Sequence, residues 1–423
     1  MRLISKLFII IICIALAGCG NDEYSVGISA PEAEFEYISS PAPLTAAGSK
    51  DEQNNPSSKV LKYDDVKAVW LSYIDISPML TGKTEQQFKS AFTDACKKIA
   101  ELGCNTVFVH IRPFGDAIYS SELYPPSRLI TGQAGKKGSF DPLAVMIETA
   151  HSFKLSIHGW INPLRLESQE QFANYDDSYL TKRWYDSNNG YVCSVEGDKH
   201  LWLNPGYSEV RKFIADGAAE IVRKYDIDGI HYDDYFYPTT AESFDKACFS
   251  SFGNGKTLSV WRLENISDMV KSIYDAVKLE NKDAVVGVSP QGNIDNNYRY
   301  MYADVKKWGS SKGYVDYICP QIYFGYSNPV KPFLPTLNEW GTVVSEPSVS
   351  LYVGLAVYKI EGAEDEFVNN TGIIARQIAD IRSSKLCKGF CLYACCNVFG
   401  NSDRARKELD SIKQQISKEN NRQ

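Results

Sequence analysis

Strand-like and helix-like runs alternate eight times along this chain, and that alternation restricts its fold more than any other feature. Short β-prone runs cover 68–74, 106–111, 156–161, 229–233, 284–289, 315–319, 350–356 and 389–393. Each precedes a stretch with apolar residues at helical spacing, over 85–102, 142–153, 209–225, 261–279, 302–310, 333–340, 373–383 and 404–417. In the third of these, Val210, Phe213, Ile214, Ala218, Ile221 and Val222 fall on one helical face. Most of the strands are continuous apolar runs, the pattern of parallel strands covered on both sides. Eight β-then-α units in order predict an α/β fold, a closed (β/α)8 barrel with long βα loops. No self-similar period short enough for a solenoid interrupts the series.

Polar and aromatic residues accumulate at one end of these strands. Strand one leads to Asp75, strand two to His110, Arg112 and Asp116, and strand three to Trp160, Asn162 and Arg165. Strand five supplies Ser289, Gln291 and Asn293, and strand six Gln321 and Tyr323. The opposite ends carry ordinary turn pairs such as Leu102-Gly103 and Lys312-Gly313. In a parallel α/β barrel the carboxyl rim is where binding and chemistry gather, so a polar cluster confined to that rim predicts a ligand site.

The sharpest part of that cluster is DGIHYDDYFYP, residues 228–238, where Asp233 and Asp234 sit side by side at the exit of strand four among Tyr232, Tyr235, Phe236 and Tyr237. By the period of two, Gly229, His231 and Asp233 share the inward face while Ile230 and Tyr232 face the helices. Asp233 is therefore expected in the barrel mouth, and Asp234 joins it because the strand ends there. His110, His158 and His231 occupy inward-compatible positions on three successive strands, but they lack a His-x-His pair and read as barrel-core groups rather than metal ligands. Neither a metal nor a cofactor is expected.

The amino terminus reads differently. Arg2 and Lys6 precede an apolar run from Leu7 to Leu16, too short to span a bilayer and shaped like an export signal. Leu16-Ala17-Gly18-Cys19 resembles a bacterial lipobox, which implies cleavage before Cys19 and lipidation of its thiol. The expected organisation is a signal over 1–18, a lipidated Cys19 with a linker through 62, the barrel over 63–418, and a tail at 419–423. The linker is rich in Ser, Pro, Ala, Asn and Glu and has too little apolar surface to offset its ordering entropy. Such a protein works in the cell envelope, tethered to a membrane. Its net charge is −7, and losing the two cations Arg2 and Lys6 with the signal takes it to −9. With no basic stripe, nucleic acid is excluded as the expected partner. Of eleven cysteines, Cys13 leaves with the signal and Cys19 carries lipid, so nine remain, an odd number that argues against a fully paired disulfide framework.

Several long motifs carry a family resemblance. VWLS at Val69, VHIRPFGDAIYSSELYPPSRLITGQAGK from Val109, FDPLAVMIETAH from Phe140 and HGWINPLR from His158 are followed by LNPGYSEVR from Leu203. DGIHYDDYFYP, WRLENI from Trp261, GVSPQGN from Gly287 and VDYICPQIYF from Val315 complete the series. From about Lys67 to Ala394 the chain resembles the glycosyl hydrolase-like 10 family, bacterial surface proteins that include divisome-localised peptidoglycan glycan hydrolases. That resemblance implies a (β/α)8 barrel acting on polysaccharide, with the strand-four acid as the leading catalytic candidate.

Glycoside hydrolysis ordinarily uses two carboxyl groups, one donating a proton to the leaving oxygen and one acting as base or nucleophile. No Glu closes strand five. Adjacent acids such as Asp233 and Asp234 resemble those of substrate-assisted hexosaminidases, in which one orients the substrate's own acetamido group as nucleophile and the other serves as acid/base. Either residue fits either role at this stage. Peptidoglycan, a polymer of 2-acetamido sugars, is the expected substrate. Arg112, Asp116, Asn162, Arg165, Gln291 and Gln321 are the expected sugar-binding polar groups, Arg being suited to a lactyl carboxylate; Trp160 and Tyr323 are expected to stack on sugar faces. The arginines alternatively pair with Asp116, Asp233 or Asp234 and bridge the rim. Two other functions use the same rim: a metal-dependent polysaccharide deacetylase built on Asp233 and histidines, and a non-catalytic glycan-binding lipoprotein.

Overall fold

The computed structural model describes residues 63–420. The signal, Cys19 and the linker lie outside the described residues. Eight strands close into a parallel barrel: β1 Val66–Leu71, β2 Thr106–Arg112, β3 Ser156–Ile161, β4 Gly229–Tyr232, β5 Val285–Val288, β6 Tyr317–Ile318, β7 Ser350–Ala356 and β8 Gly389–Tyr393. Each pairs with its neighbours in chain order, and β8 returns to β1 with Val66 opposite Gly389. The connecting helices are α1 Glu85–Glu101, α2 Pro142–Ser152, α3 Ser208–Lys224, α4 Leu258–Glu280, α5 Val305–Ser310, α6 Phe333–Val343, α7 Ile373–Ser384 and α8 Asp403–Asn420. Their starts follow local chemistry. Thr84 and Gln87 form a reciprocal capping box on α1, and Asp141 caps α2 with Pro142 in the first turn. On α3 all six apolar residues expected on one face are buried.

The interior is unusually aromatic. Trp70, Phe108, Trp160, Tyr317 and Tyr352 fill the barrel with Cys319 and Cys391. Room for Tyr317 is made on the adjacent strand β5 at Gly287, its register partner, where an added Cβ would lie 1.9 Å from its ring. Hydrogen bonds order this layer. The Trp70 indole can only donate, and its Nε1 lies 3.0 Å from His231 Nε2, so the His231 proton sits on Nδ1 and points to Tyr317 Oη at 2.9 Å. The Tyr317 hydroxyl is then left to donate to His158 Nδ1 at 3.0 Å. Burial holds both imidazoles neutral, with the His158 pKa brought down to about 4. His158 and His231 thus serve the core, as their inward register suggested.

Three segments depart from the sequence expectation. Strand one was expected to reach Ile74, but Ser72 caps a helix over Tyr73–Leu80 and Asp75 closes its capping box, so β1 stops at Leu71. Strand six shortens to two residues. The long connection after β3 carries its own antiparallel sheet, in which His200–Leu203 pairs with both Arg165–Ser168 and Val192–Ser194. Short strands within a polar loop gave no period long enough to read.

Candidate active site

The carboxyl ends of the strands converge on Asp233, which is 4% exposed. Its Oδ2 accepts from Trp160 Nε1 at 3.0 Å and its Oδ1 from the backbone N of Tyr235 at 3.3 Å. Trp160 is itself fixed, because it stacks on His110 with ring centroids 3.8 Å apart and planes 6° from parallel. His110 Nε2 meets Asn162 Oδ1 at 3.1 Å, and Asn162 Nδ2 donates to Pro113 O at 3.0 Å. A chain of four groups on β2, β3 and their loops therefore orients one carboxylate. Burial, and then the charge of Asp234, push the Asp233 carboxyl well above the usual range, while Arg165 and the Trp160 donor oppose that shift.

Asp234 is held from the other side. Gln321 Nε2 donates to its Oδ1 at 3.2 Å and to Ser289 O at 3.0 Å, and the Gln291 side chain also bonds it. Burial raises its pKa, and the two glutamine amides pull it back. One acid is thus crowded and aligned with an indole, and its neighbour is cradled by two amides.

Arg165 approaches both acids without forming an ion pair with either among the described residues. Its guanidinium lies between the rings of Phe114 and Tyr235, 4.8 and 3.8 Å from their centroids, and Nε and Nη2 donate to Pro113 O. This leaves further N–H groups of the fork for a ligand. Tyr323 is half-buried, stacked at 5.9 Å on Tyr393.

Two expected rim residues are elsewhere. Arg112 would face the mouth by a strict period of two, but β2 shifts register between His110 and Arg112, and Arg112 pairs with the outward-facing Ile161. Its guanidinium covers the Tyr124 ring at 4.1 Å and packs against Gly217 of α3, where a Cβ would approach Nη1 to 2.6 Å. Arg112 therefore belongs to the helix layer and is removed from the set of sugar-binding candidates. Asp116 accepts from Phe114 N at 3.0 Å inside the β2 loop, beside Glu167. Burial and the Glu167 charge raise its pKa to about 7. It is a loop-core group and not a mouth residue. Asp75 has both oxygens engaged, by Ser72 and by the backbone N of Cys396. Sequence reasoning placed Tyr235 beside the acids but missed Phe114 and Tyr393; Tyr393 ends a strand and could have been found by the same rim rule.

The match to the Glycosyl hydrolase-like 10 family model spans residues 65–369. The chain belongs to this family. The match takes in β1 to β7 and stops short of β8, whereas the resemblance was expected to reach Ala394. Among relatives, Glycosyl hydrolase YngK of Bacillus subtilis is 32% identical over 348 residues, 77% of this chain and 67% of that protein. Glycosyl hydrolase DigH of Escherichia coli K12 is 28% identical over 364 residues, 77% of this chain and 81% of that one. Among solved structures, the glycoside hydrolase domain of PgaB (BpsB) from Bordetella bronchiseptica aligns with a TM-score of 0.55 at 11% identity, over 83% of this chain and 98% of that domain. The catalytic domain of Paenibacillus polymyxa β-amylase aligns with a TM-score of 0.53 at 12% identity, over 85% and 99%. At those identities the likeness concerns the glycoside hydrolase-like (β/α)8 barrel alone.

Proposed function

We propose that this Glycosyl hydrolase-like 10 protein is a glycoside hydrolase that cleaves 2-acetamido-sugar glycan strands, foremost peptidoglycan, from a lipid anchor on Cys19 in the bacterial envelope. The observation that carries the reading is the adjacent pair of buried Asp233 and half-buried Asp234, one aligned by an indole and the other by two amides. Crowding by Asp234 favours a protonated Asp233, the form a general acid needs. The amide donors favour an ionised Asp234, the form that orients an acetamido N–H.

In the first step Asp233 passes its proton to the glycosidic oxygen as the C1–O bond breaks. The acetamido carbonyl oxygen bonds to C1 from the opposite face, and Asp234 accepts the amide hydrogen as an oxazoline ring closes. In the second step water attacks C1, Asp233 takes its proton, the ring opens, and the amide regains its hydrogen from Asp234. Two displacements at C1 retain its configuration. Adjacent residues splay apart and cannot sit across one bond, so a two-carboxylate inverting route needs a base elsewhere. Of the nearest alternatives by strand position, Asp75 has both oxygens engaged, and Asp116 is fully buried in its own loop beside Glu167. The free donors of Arg165 suit the lactyl carboxylate of a muramic residue.

The test is release of new reducing ends from purified sacculi, with competitive inhibition by a thiazoline analogue of N-acetylglucosamine and a product of retained configuration. An inverted product would exclude substrate assistance, and absence of any new reducing end, with or without prior removal of stem peptides, would exclude the hydrolase.

A further inference from the structure

Three consecutive strands each deliver a tyrosine to one side of the mouth. Tyr323 follows β6, Tyr358 lies in the 3-10 turn Val357–Glu361 directly after β7, and Tyr393 ends β8. Tyr323 and Tyr393 stack with centroids 5.9 Å apart and planes 27° from parallel, and Tyr358 stands edge-on to both at 5.8 and 5.9 Å. None of these three hydroxyls has a hydrogen-bond partner among the described residues. Tyr358 is also 38% exposed, so the cluster opens to solvent.

The inner end of the cluster adjoins the acids, since Tyr393 meets Trp160 edge-on at 6.5 Å and Trp160 holds Asp233. The backbone carrying Tyr323 is tethered from the next unit. Lys359 Nζ donates to Tyr323 O at 2.7 Å, Gln377 Nε2 to Phe324 O at 2.9 Å, and Glu366 accepts from Tyr326 N at 2.7 Å. Rings on a braced loop lose little freedom when they bind. Lys359, the cation of this side, is committed to that carbonyl and to Glu364, so the rings face a ligand without a charge to offer. An uncharged aromatic cluster, with the solvent-open Tyr358 edge-on to the stacked pair, matches the apolar C–H face of an uncharged pyranose.

We propose that Tyr323, Tyr358 and Tyr393 form a stacking subsite for a neutral 2-acetamido pyranose next to the cleaved bond, a reading that rests on the glycan-hydrolase function above. The test is calorimetric titration of the β-1,4-linked tetramer of N-acetylglucosamine into full-length protein carrying Asp234→Asn, which prevents turnover. Adding Tyr358→Ala or Tyr323→Ala should weaken binding about fivefold or more, as for truncation of an aromatic anchor, and Tyr358→Phe should change it less than about twofold. Unchanged affinity in both alanine variants, or no binding by the parent, would overturn the subsite. Reducing-end release by the wild-type protein is scored separately. Product with unaltered binding in the tyrosine variants removes the subsite alone, whereas weakened binding with no wild-type product keeps the subsite and removes hydrolysis.

Discussion

Two sets of polar groups lie along the barrel axis, and they obey opposite rules. In the interior, Trp70, His231, Tyr317 and His158 form a one-way chain in which each link joins a donor to an acceptor, only the terminal His158 Nε2 lacking a partner among the described residues, and the imidazoles stay neutral. At the mouth, two acids of like charge stand side by side with restricted access to water, and burial raises both. The first arrangement satisfies every shared contact and favours folding. The second holds an electrostatic cost that folding alone gives no reason to keep, which is how perturbed acids mark functional sites. The contrast lies in the pairing: complementary donors and acceptors in the interior, and two like acids at the mouth.

The contrast breaks most visibly in turnover. Asp233→Asn and Asp234→Asn should each lower the rate of reducing-end release by at least about a hundredfold with an unchanged circular dichroism spectrum. Tyr317→Phe, in the barrel interior, should leave turnover within about threefold of wild type. If the two acid variants hydrolyse sacculi at near wild-type rates, the mouth is no more functional than the floor.

Stability should show the reverse ranking. Tyr317→Phe leaves the His231 Nδ1 proton without an acceptor and His158 Nδ1 without a donor, both fully buried. Each stranded group costs on the order of 1–3 kcal/mol. Urea denaturation should show a lower midpoint with an unchanged slope. A midpoint equal to wild type would mean that the chain of hydrogen bonds is incidental to packing.

How much of this was legible beforehand depended on periodicity. The existence and order of the eight strands, the helix faces and the inward setting of Asp233 follow from apolar runs and from periods of 2 and 3.6, while the ends of strands one and six fall short of the expected bounds. Arg112 breaks its period, because one extra residue in β2 turns a side chain to the other face without leaving a mark in composition. Asp116 failed for another reason: closeness in sequence to a strand end does not reveal that its loop folds back into a core of its own around Glu167. The Trp160 link to Asp233 joins β3 to β4, and a single sequence holds no signal for a pairing of that kind.

Trp160 offers a smaller test of the mouth. Its indole N–H stabilises the ionised form of Asp233, so Trp160→Phe should raise the pKa of that carboxyl further. If Asp233 is the acid, its protonated form then persists to higher pH. The alkaline limb of the kcat/KM profile should move upward by up to about one pH unit, the effect of losing one hydrogen bond of about 1.4 kcal/mol to a charge. A limb that stays in place assigns the acid role to Asp234.

The last difference concerns how the two regions respond to pH. His158 has a folded pKa of about 4, below its unfolded value near 6.5. The folded state therefore binds fewer protons between those values, and the contribution of His158 to stability is lost as pH falls through that window. Asp233 runs the other way. Its folded pKa lies above the unfolded value near 3.9, so the folded state binds more protons and stability falls as pH rises above about 4. Asp233→Asn abolishes that titration while leaving the His158 contribution alone. Thermal melts should accordingly show a gain of at least about 2 °C at pH 7, on the scale expected for a domain of this size. The gain should shrink as pH falls and vanish below about pH 3, where the wild-type carboxyl is protonated in both states. A gain independent of pH would trace to packing of the amide, and a loss at pH 7 would mean that the Trp160 and Tyr235 donors outweigh burial and the charge of Asp234.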